Sequence, residues 1–125
     1  MKTTINSKNA PAPIGPYSQA VLAGNTLFAS GQIAINPATG ELEMSSIEIE
    51  TEQVMQNIKA VLEEAMMTFE NIVKCSIFLS SMDSFSRVNE VYGKYFPTNP
   101  PARETVEVSC LPKSVNVEIS FIAIK

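Results

Sequence analysis

The sequence predicts an α+β fold, a mixed β-sheet with two helices packed on one face, as a single domain over residues 1–125. Three observations carry this reading. Two segments with apolar residues at helical spacing flank an alternating segment; further alternating segments precede the first helix and follow the second; and several strands are apolar on both faces.

In chain order, a proline-rich lead-in, Ala10 to Pro16, precedes two strands, Tyr17–Ala23 and Thr26–Ile35, which turn at Gly24-Asn25, a dipeptide that tolerates positive φ. Asn36 to Gly40 is a second turn cluster, leaving room for a short strand at Glu41–Met44. From Ile47 to about Thr68, the residues Val54, Ile58, Val61, Leu62, Ala65, Met66 and Phe69 recur at helical spacing. Ser45 followed by Glu48 has capping-box spacing, with Ser46 and Thr51 as alternative caps. Ile72–Ser80 alternates as a strand, with Val73, Cys75, Ile77 and Leu79 on one face. Asp83 or Ser84 caps a second helix with Phe85, Val88, Tyr92 and Tyr95 on one stripe, stopped at Phe96 by Pro97. After Pro100-Pro101 come two final strands, Ala102–Cys110 and Val115–Ile124, joined by Leu111 to Ser114. Two helices cover only one sheet face, so the apolar residues of the other face predict burial against a second copy, a homo-oligomer.

Composition excludes much chemistry. With no His, the chain holds no Ser-His-Asp triad, Cys-His pair or paired-His zinc site, and two cysteines do not complete a zinc tetrahedron, so no metal site is expected. Acid-base work falls to carboxylates, Tyr, Lys or water. A net charge of −4 offers no general attraction to phosphate backbones, so nucleic acid is not an expected partner. No run reaches a membrane span, and Met1 to Asn6 lacks the apolar core of a signal peptide, which predicts a cytoplasmic protein with Cys75 and Cys110 as free thiols inside strands. Planar recognition of a carboxylate has two candidates, Arg87 and Arg103, the other basic residues being Lys.

Alternation places Arg103, Thr105 and Glu107 on one face of their strand and Asn116, Glu118 and Ser120 on one face of the next. If the two strands pair as a hairpin and these faces coincide, a guanidinium and a carboxylate share one polar surface. That surface reads either as a solvated cross-strand ion pair or as a binding site. Apolar flanking segments favour burial, where an Arg needs a defined anionic partner.

Ile14 to Ala20 (IGPYSQA), Ser30 to Ile33 (SGQI), Pro101-Ala102-Arg103, Val106-Glu107-Val108, Leu111-Pro112 and Val117-Glu118-Ile119 together resemble the RidA (YjgF) family of reactive enamine/imine deaminases, in order and spacing over nearly the whole chain. The resemblance implies a chorismate-mutase-like fold, a homotrimer with clefts between subunits, and hydrolysis of 2-imino acids such as 2-iminopropanoate and 2-iminobutanoate to 2-keto acids and ammonia. No cofactor is implied, because an iminium carbon is already electrophilic. Arg103 matches the residue that holds the substrate carboxylate and Glu118 the one that positions or activates water. Tyr17, Ser30, Gly31 and Asn89 match cleft-lining positions. Each also has a plainer reading: a packing aromatic for Tyr17, a strand bulge for Ser30-Gly31, a polar residue on the outer helix face for Asn89, and for Arg87 a solvated helix residue.

Two positions depart from the family pattern. Glu104 stands where a small or apolar residue is usual, and alternation turns it away from Arg103. Thr105 stands where many members have Cys, which removes thiol chemistry there and leaves a hydroxyl for substrate binding. A non-catalytic binder of small carboxylates is the alternative function. A ribonuclease reading, attached to relatives of this family, is opposed by the charge and the scarcity of Arg.

Overall fold

In a computed structural model that describes Met1–Lys125, the first element is one that the sequence pattern did not reveal. Strand β1 (Lys2–Ile5) pairs antiparallel with β2 (Ala20–Ala23), and of its four residues only Ile5 is buried, too little for an alternation signal. β2 starts at Ala20 rather than Tyr17, because the preceding Pro-Tyr-Ser-Gln segment is a loop anchored by Gln19. A two-residue turn with Gly24 at φ 62 leads into β3 (Thr26–Gln32). The predicted strand at 41–44 reduces to one bridge, Ile35 with Leu42.

Helix α1 (Ile47–Glu64) begins at Ser46, whose hydroxyl accepts from the Ile49 N–H; the Ser45–Glu48 box does not form. It ends four residues earlier than predicted. Met66 turns left-handed (φ 57), and the Met66 and Met67 amides bond back to the Glu63 and Leu62 carbonyls, each at 2.9 Å, a Schellman closure that periodicity does not encode. β4 (Ile72–Leu79) follows. Ser81 caps a 3₁₀ turn at Met82–Ser84, so neither Asp83 nor Ser84 caps α2 (Phe85–Gly93) through its side chain. Residues 94–96 continue only as single turns. β5 (Ala102–Glu107) and β6 (Val117–Ile124) complete the chain and leave Cys110 exposed outside any strand, while Cys75 is buried in β4; both are free thiols.

The sheet order is β1-β2-β3-β6-β4-β5, with β4 and β5 parallel and every other pair antiparallel. The anticipated β5–β6 hairpin is therefore absent. β4–α2–β5 is a parallel crossover, which puts β5 on one edge of β4, and β6 takes the other edge between β4 and β3. The connection between β5 and β6 makes its turn through two left-handed non-glycine residues, Lys113 (φ 55) and Ser114 (φ 57).

Both helices lie on one sheet face. Val54, Ile58, Val61 and Leu62 of α1 and Val88 and Tyr92 of α2 pack on Leu27, Cys75, Ile77, Ile119 and Phe121 in one continuous core. The opposite face leaves Phe28 (49%), Val106 (42%) and Ile124 (39%) exposed. No helix is long and apolar enough to cross a membrane.

Candidate functional site

The register of β3 against β6 slips between Ala29 and Gln32, a bulge that sets Gly31 directly against Glu118. A Cβ on Gly31 would meet the Glu118 carboxylate oxygen and lie 2.7 Å from its Cδ and 2.8 Å from its Cγ, so any other residue there would have to displace the Glu118 side chain. Bulge and close side-chain approach occur together at Gly31. Beside Gly31, Ser30 donates from Oγ to the Ser18 carbonyl (2.6 Å) and from its amide to Gln19 O (2.9 Å), fixing the loop that carries Tyr17. Gln19 is buried and ties the same loop to the N-terminal arm: its Oε1 accepts from Ser7 N (2.6 Å), and its Nε2 donates to Pro11 O (2.9 Å) and Ser7 O (3.1 Å).

These contacts build a cleft of about 460 Å³, into which Tyr17, Ser30, Gly31 and Glu118 all face, with an apolar wall that includes Ile14, Ile33 and Pro112. Tyr17 is 48% exposed, with its hydroxyl 3.4 Å from the Ile14 amide. Glu118 is half-buried, and desolvation pushes its carboxyl above the usual carboxylate range.

The remaining predicted residues lie elsewhere. Arg103 projects from β5 toward the helices and donates from Nη1 to Asn89 Oδ1 (2.7 Å) on α2. Its guanidinium carbon sits 5.1 Å from the Tyr92 ring centroid and 5.6 Å from that of Phe85. It makes no ion pair within the chain. Thr105, two residues on, faces the same way, and its Oγ1 is buried without a hydrogen-bond partner, as is the Tyr92 hydroxyl. Burial drives the Tyr92 hydroxyl and the Cys75 thiol beneath Arg103 to raised pKa values, so both stay protonated. Asn89 is not on an outer face: Phe85, Asn89 and Tyr92, at i, i+4 and i+7, form the helix surface turned to Arg103.

Arg103 and Glu118 thus do not share a surface within one chain. In register, Arg103 lies opposite Cys75 and Glu118 opposite Phe78, with β4 between their strands, which sets their Cα atoms roughly 14 Å apart. Cys75 is buried on the helix face, whereas Glu118 alternates with buried Val117 and Ile119 and so points to the other face. Glu104 does turn away from Arg103, pairing with Lys74 at 3.0 Å and accepting from Ser76 Oγ. Gln19, Phe85 and Tyr92 were not expected at the site, the last two having been read only as part of a helix stripe; their i, i+4, i+7 relation to Asn89 was the available signal. No three Asp, Glu or Cys side chains converge as a metal site.

Residues 7–125 match the family model described as Endoribonuclease L-PSP. A RutC family protein of Pyrococcus horikoshii is 51% identical over 125 residues, spanning 100% of this chain and 99% of its own. YyfA of Yersinia pestis, a protein of the conserved Rid protein family, superposes with a TM-score of 0.97 at 52% identity over 100% of both chains. The chain belongs to the Rid (L-PSP) family. E. coli TdcF, solved with bound serine, superposes at 0.94 and 35% identity over 98% of each chain. The α+β fold with a mixed six-stranded sheet and two helices is that of the Rid-family structures. In this Rid chain the residues matched to the family cleft fall into two clusters, Tyr17, Ser30, Gly31 and Glu118 on one side of the sheet and Arg103, Asn89 and Thr105 on the other.

Proposed function

We propose that the protein is a cytoplasmic hydrolytic deaminase of 2-imino acids, acting as a homotrimer in which Arg103, Asn89 and Thr105 of one chain complete the cleft of the next. The observation that carries this reading is the unneutralised guanidinium of Arg103: half-buried, stacked on two aromatic rings, bonded only to a neutral amide and without an acidic partner. A partly desolvated Arg in that state is a receptor for an anion, and its planar fork suits a small carboxylate. The serine bound to TdcF is a small amino acid carrying such a group.

The chemistry follows from the two clusters. Arg103 holds the substrate carboxylate, which places the C=N carbon over Glu118 and Gly31. Glu118, with its pKa raised toward the working range, takes a proton from water as it adds to that carbon and returns it to the departing amine. The carbinolamine collapses to the 2-keto acid and ammonia, and the apolar cleft wall accommodates an aliphatic side chain. The endoribonuclease description of the family model finds little support in the charges: the net charge is −4 and Arg87 is neutralised by Glu48, which leaves a single unpaired guanidinium.

Complementation tests both parts of the proposal. Arg103→Ala and Glu118→Gln chains are each expected to be inactive in a dehydratase-coupled assay of 2-keto-acid release. Co-assembled one to one, they should recover about a quarter of wild-type turnover, since one site in four then draws Arg103 and Glu118 from unmutated positions of two chains. No recovery would remove the shared site. Tight binding of a 2-keto acid by the wild type without turnover would leave a carboxylate-binding protein instead.

A further inference from the structure

One buried charge has no part in the chemistry above. Glu50, in the first turn of α1, is 0% exposed, and no Lys or Arg pairs with it. Its carboxylate accepts three hydrogen bonds at the entrance to β6: from Asn116 N (2.7 Å) and Val117 N (3.0 Å) on Oε2, and from Asn116 Nδ2 (2.9 Å) on Oε1. Asn116 is held from the other side by Ser80, whose Oγ donates to Asn116 Oδ1 (2.9 Å) and whose amide donates to Asn116 O (3.0 Å). A carboxylate buried without a cation is costly unless amides satisfy it, and here they do.

Two features lie beside this clamp. Lys113 and Ser114, just upstream, hold left-handed backbone that non-glycine residues keep only where the surroundings impose it, and Pro112 before them walls the cleft. Glu118, just downstream, fits against Gly31 with no slack. We propose that Glu50 is a positioning residue that sets how deep Glu118 enters the cleft, by the reach of its side chain to the Asn116 and Val117 amides and not by its charge. This rests on the deaminase reading for its consequence in turnover, but not for its effect on Glu118.

The test separates reach from charge in the full-length chain. Glu50→Gln keeps the reach: one oxygen still accepts from both backbone amides, and the Asn116 amide and Ser80 hydroxyl reverse their donor sense to meet the new NH₂. Glu50→Asp keeps the charge and is one methylene too short. In Glu50→Asp, kcat is expected to fall about tenfold with KM changed less than about twofold, because a small misplacement of a catalytic group affects turnover more than binding. Its Glu118 carboxyl, titrated by NMR, should move down toward the ordinary carboxylate range; Tyr17 is the other titratable group lining the cleft. Glu50→Gln is expected to retain kcat within about 1.5-fold and the wild-type Glu118 titration. Wild-type behaviour in Glu50→Asp, or a loss in Glu50→Gln at least as large, overturns the proposal. Should either variant fail to fold by circular dichroism, Asn116→Ala, which removes one donor of three, should lower kcat about threefold, and an unchanged kcat overturns it equally. If the wild type releases no keto acid, the deaminase reading falls, while the Glu118 titrations in the Asp and Gln variants still decide the role of Glu50.

Discussion

The two arginines stand at opposite extremes of environment although both involve α2. Arg87 is exposed and grips Glu48 of α1 through two parallel hydrogen bonds, Nε to Oε2 at 2.9 Å and Nη2 to Oε1 at 2.7 Å. The pair holds the Glu48 carboxyl at about 2. Arg103 is half-buried, forms no ion pair with a carboxylate, and donates a hydrogen bond to Asn89. The folded chain supplies a carboxylate to the arginine that water already solvates and none to the one that water partly abandons, which is the contrast on which the proposed anion site rests. The comparison also separates a surface contact, whose energy solvent screens, from a guanidinium whose charge the chain leaves unpaired.

Substitutions test that contrast, and the largest effect belongs to Arg103. Arg103→Ala should lower keto-acid release by about three orders of magnitude and abolish measurable binding of a 2-keto acid by calorimetry, whereas Arg103→Lys, which keeps the charge and loses the fork, should lie about one order above it. Activity of Arg103→Ala within a few-fold of wild type would break the contrast outright.

Glu118→Gln comes next, with kcat lower by about two orders of magnitude and keto-acid affinity changed less than about threefold. Its pH behaviour carries a sign. A carboxyl with a folded pKa above its unfolded value keeps more protons in the folded state, so its contribution to stability is greatest below the unfolded pKa and declines as pH rises through the folded one. Thermal melts of Glu118→Gln should therefore lack that decline and match or exceed the wild type at neutral pH. A variant less stable than wild type at pH 7 but not at pH 4 would contradict the raised pKa.

Gly31→Ala should cost about tenfold in kcat, since its Cβ displaces the Glu118 carboxylate rather than removing it. Wild-type turnover in that variant would show that the glycine serves only the bulge. The smallest effect is expected from Arg87→Ala: unchanged turnover and a melting temperature within about two degrees of wild type. The contribution of the Arg87–Glu48 pair is present above the ordinary carboxylate pKa and fades as pH falls toward 2, so any difference between the melts should vanish in strong acid.

Of the candidate residues, the sequence made legible the strand face each takes, because that follows from a local pattern, but not which of them come together. Glu104 and Arg103 take opposite faces of β5 because the side-chain period of a strand is two, and the Ser30-Gly31 pair marks a bulge because a strand has few other uses for glycine. The elements that the sequence concealed lack such patterns. β1 buries a single residue, the end of α1 is set by the backbone closure at Met66, and the role of Gln19 depends on carbonyls eight to twelve residues away. Glu50 looked like any acidic residue near a helix start, since only the folded chain brings Asn116 and Val117 to it, 66 and 67 residues later.

The amino-acid order by itself determined the number of main helices, the face each residue takes within its own strand, the lack of imidazole chemistry and the scarcity of guanidinium groups, because all of these are local or compositional. Tertiary structure alone decided which faces coincide. The expected β5–β6 hairpin would have set Arg103 beside Glu118; the parallel crossover instead inserts β4 between them and turns them to opposite sides of the sheet. Strand neighbours are chosen by long-range packing and crossover handedness, to which a period-two pattern is blind.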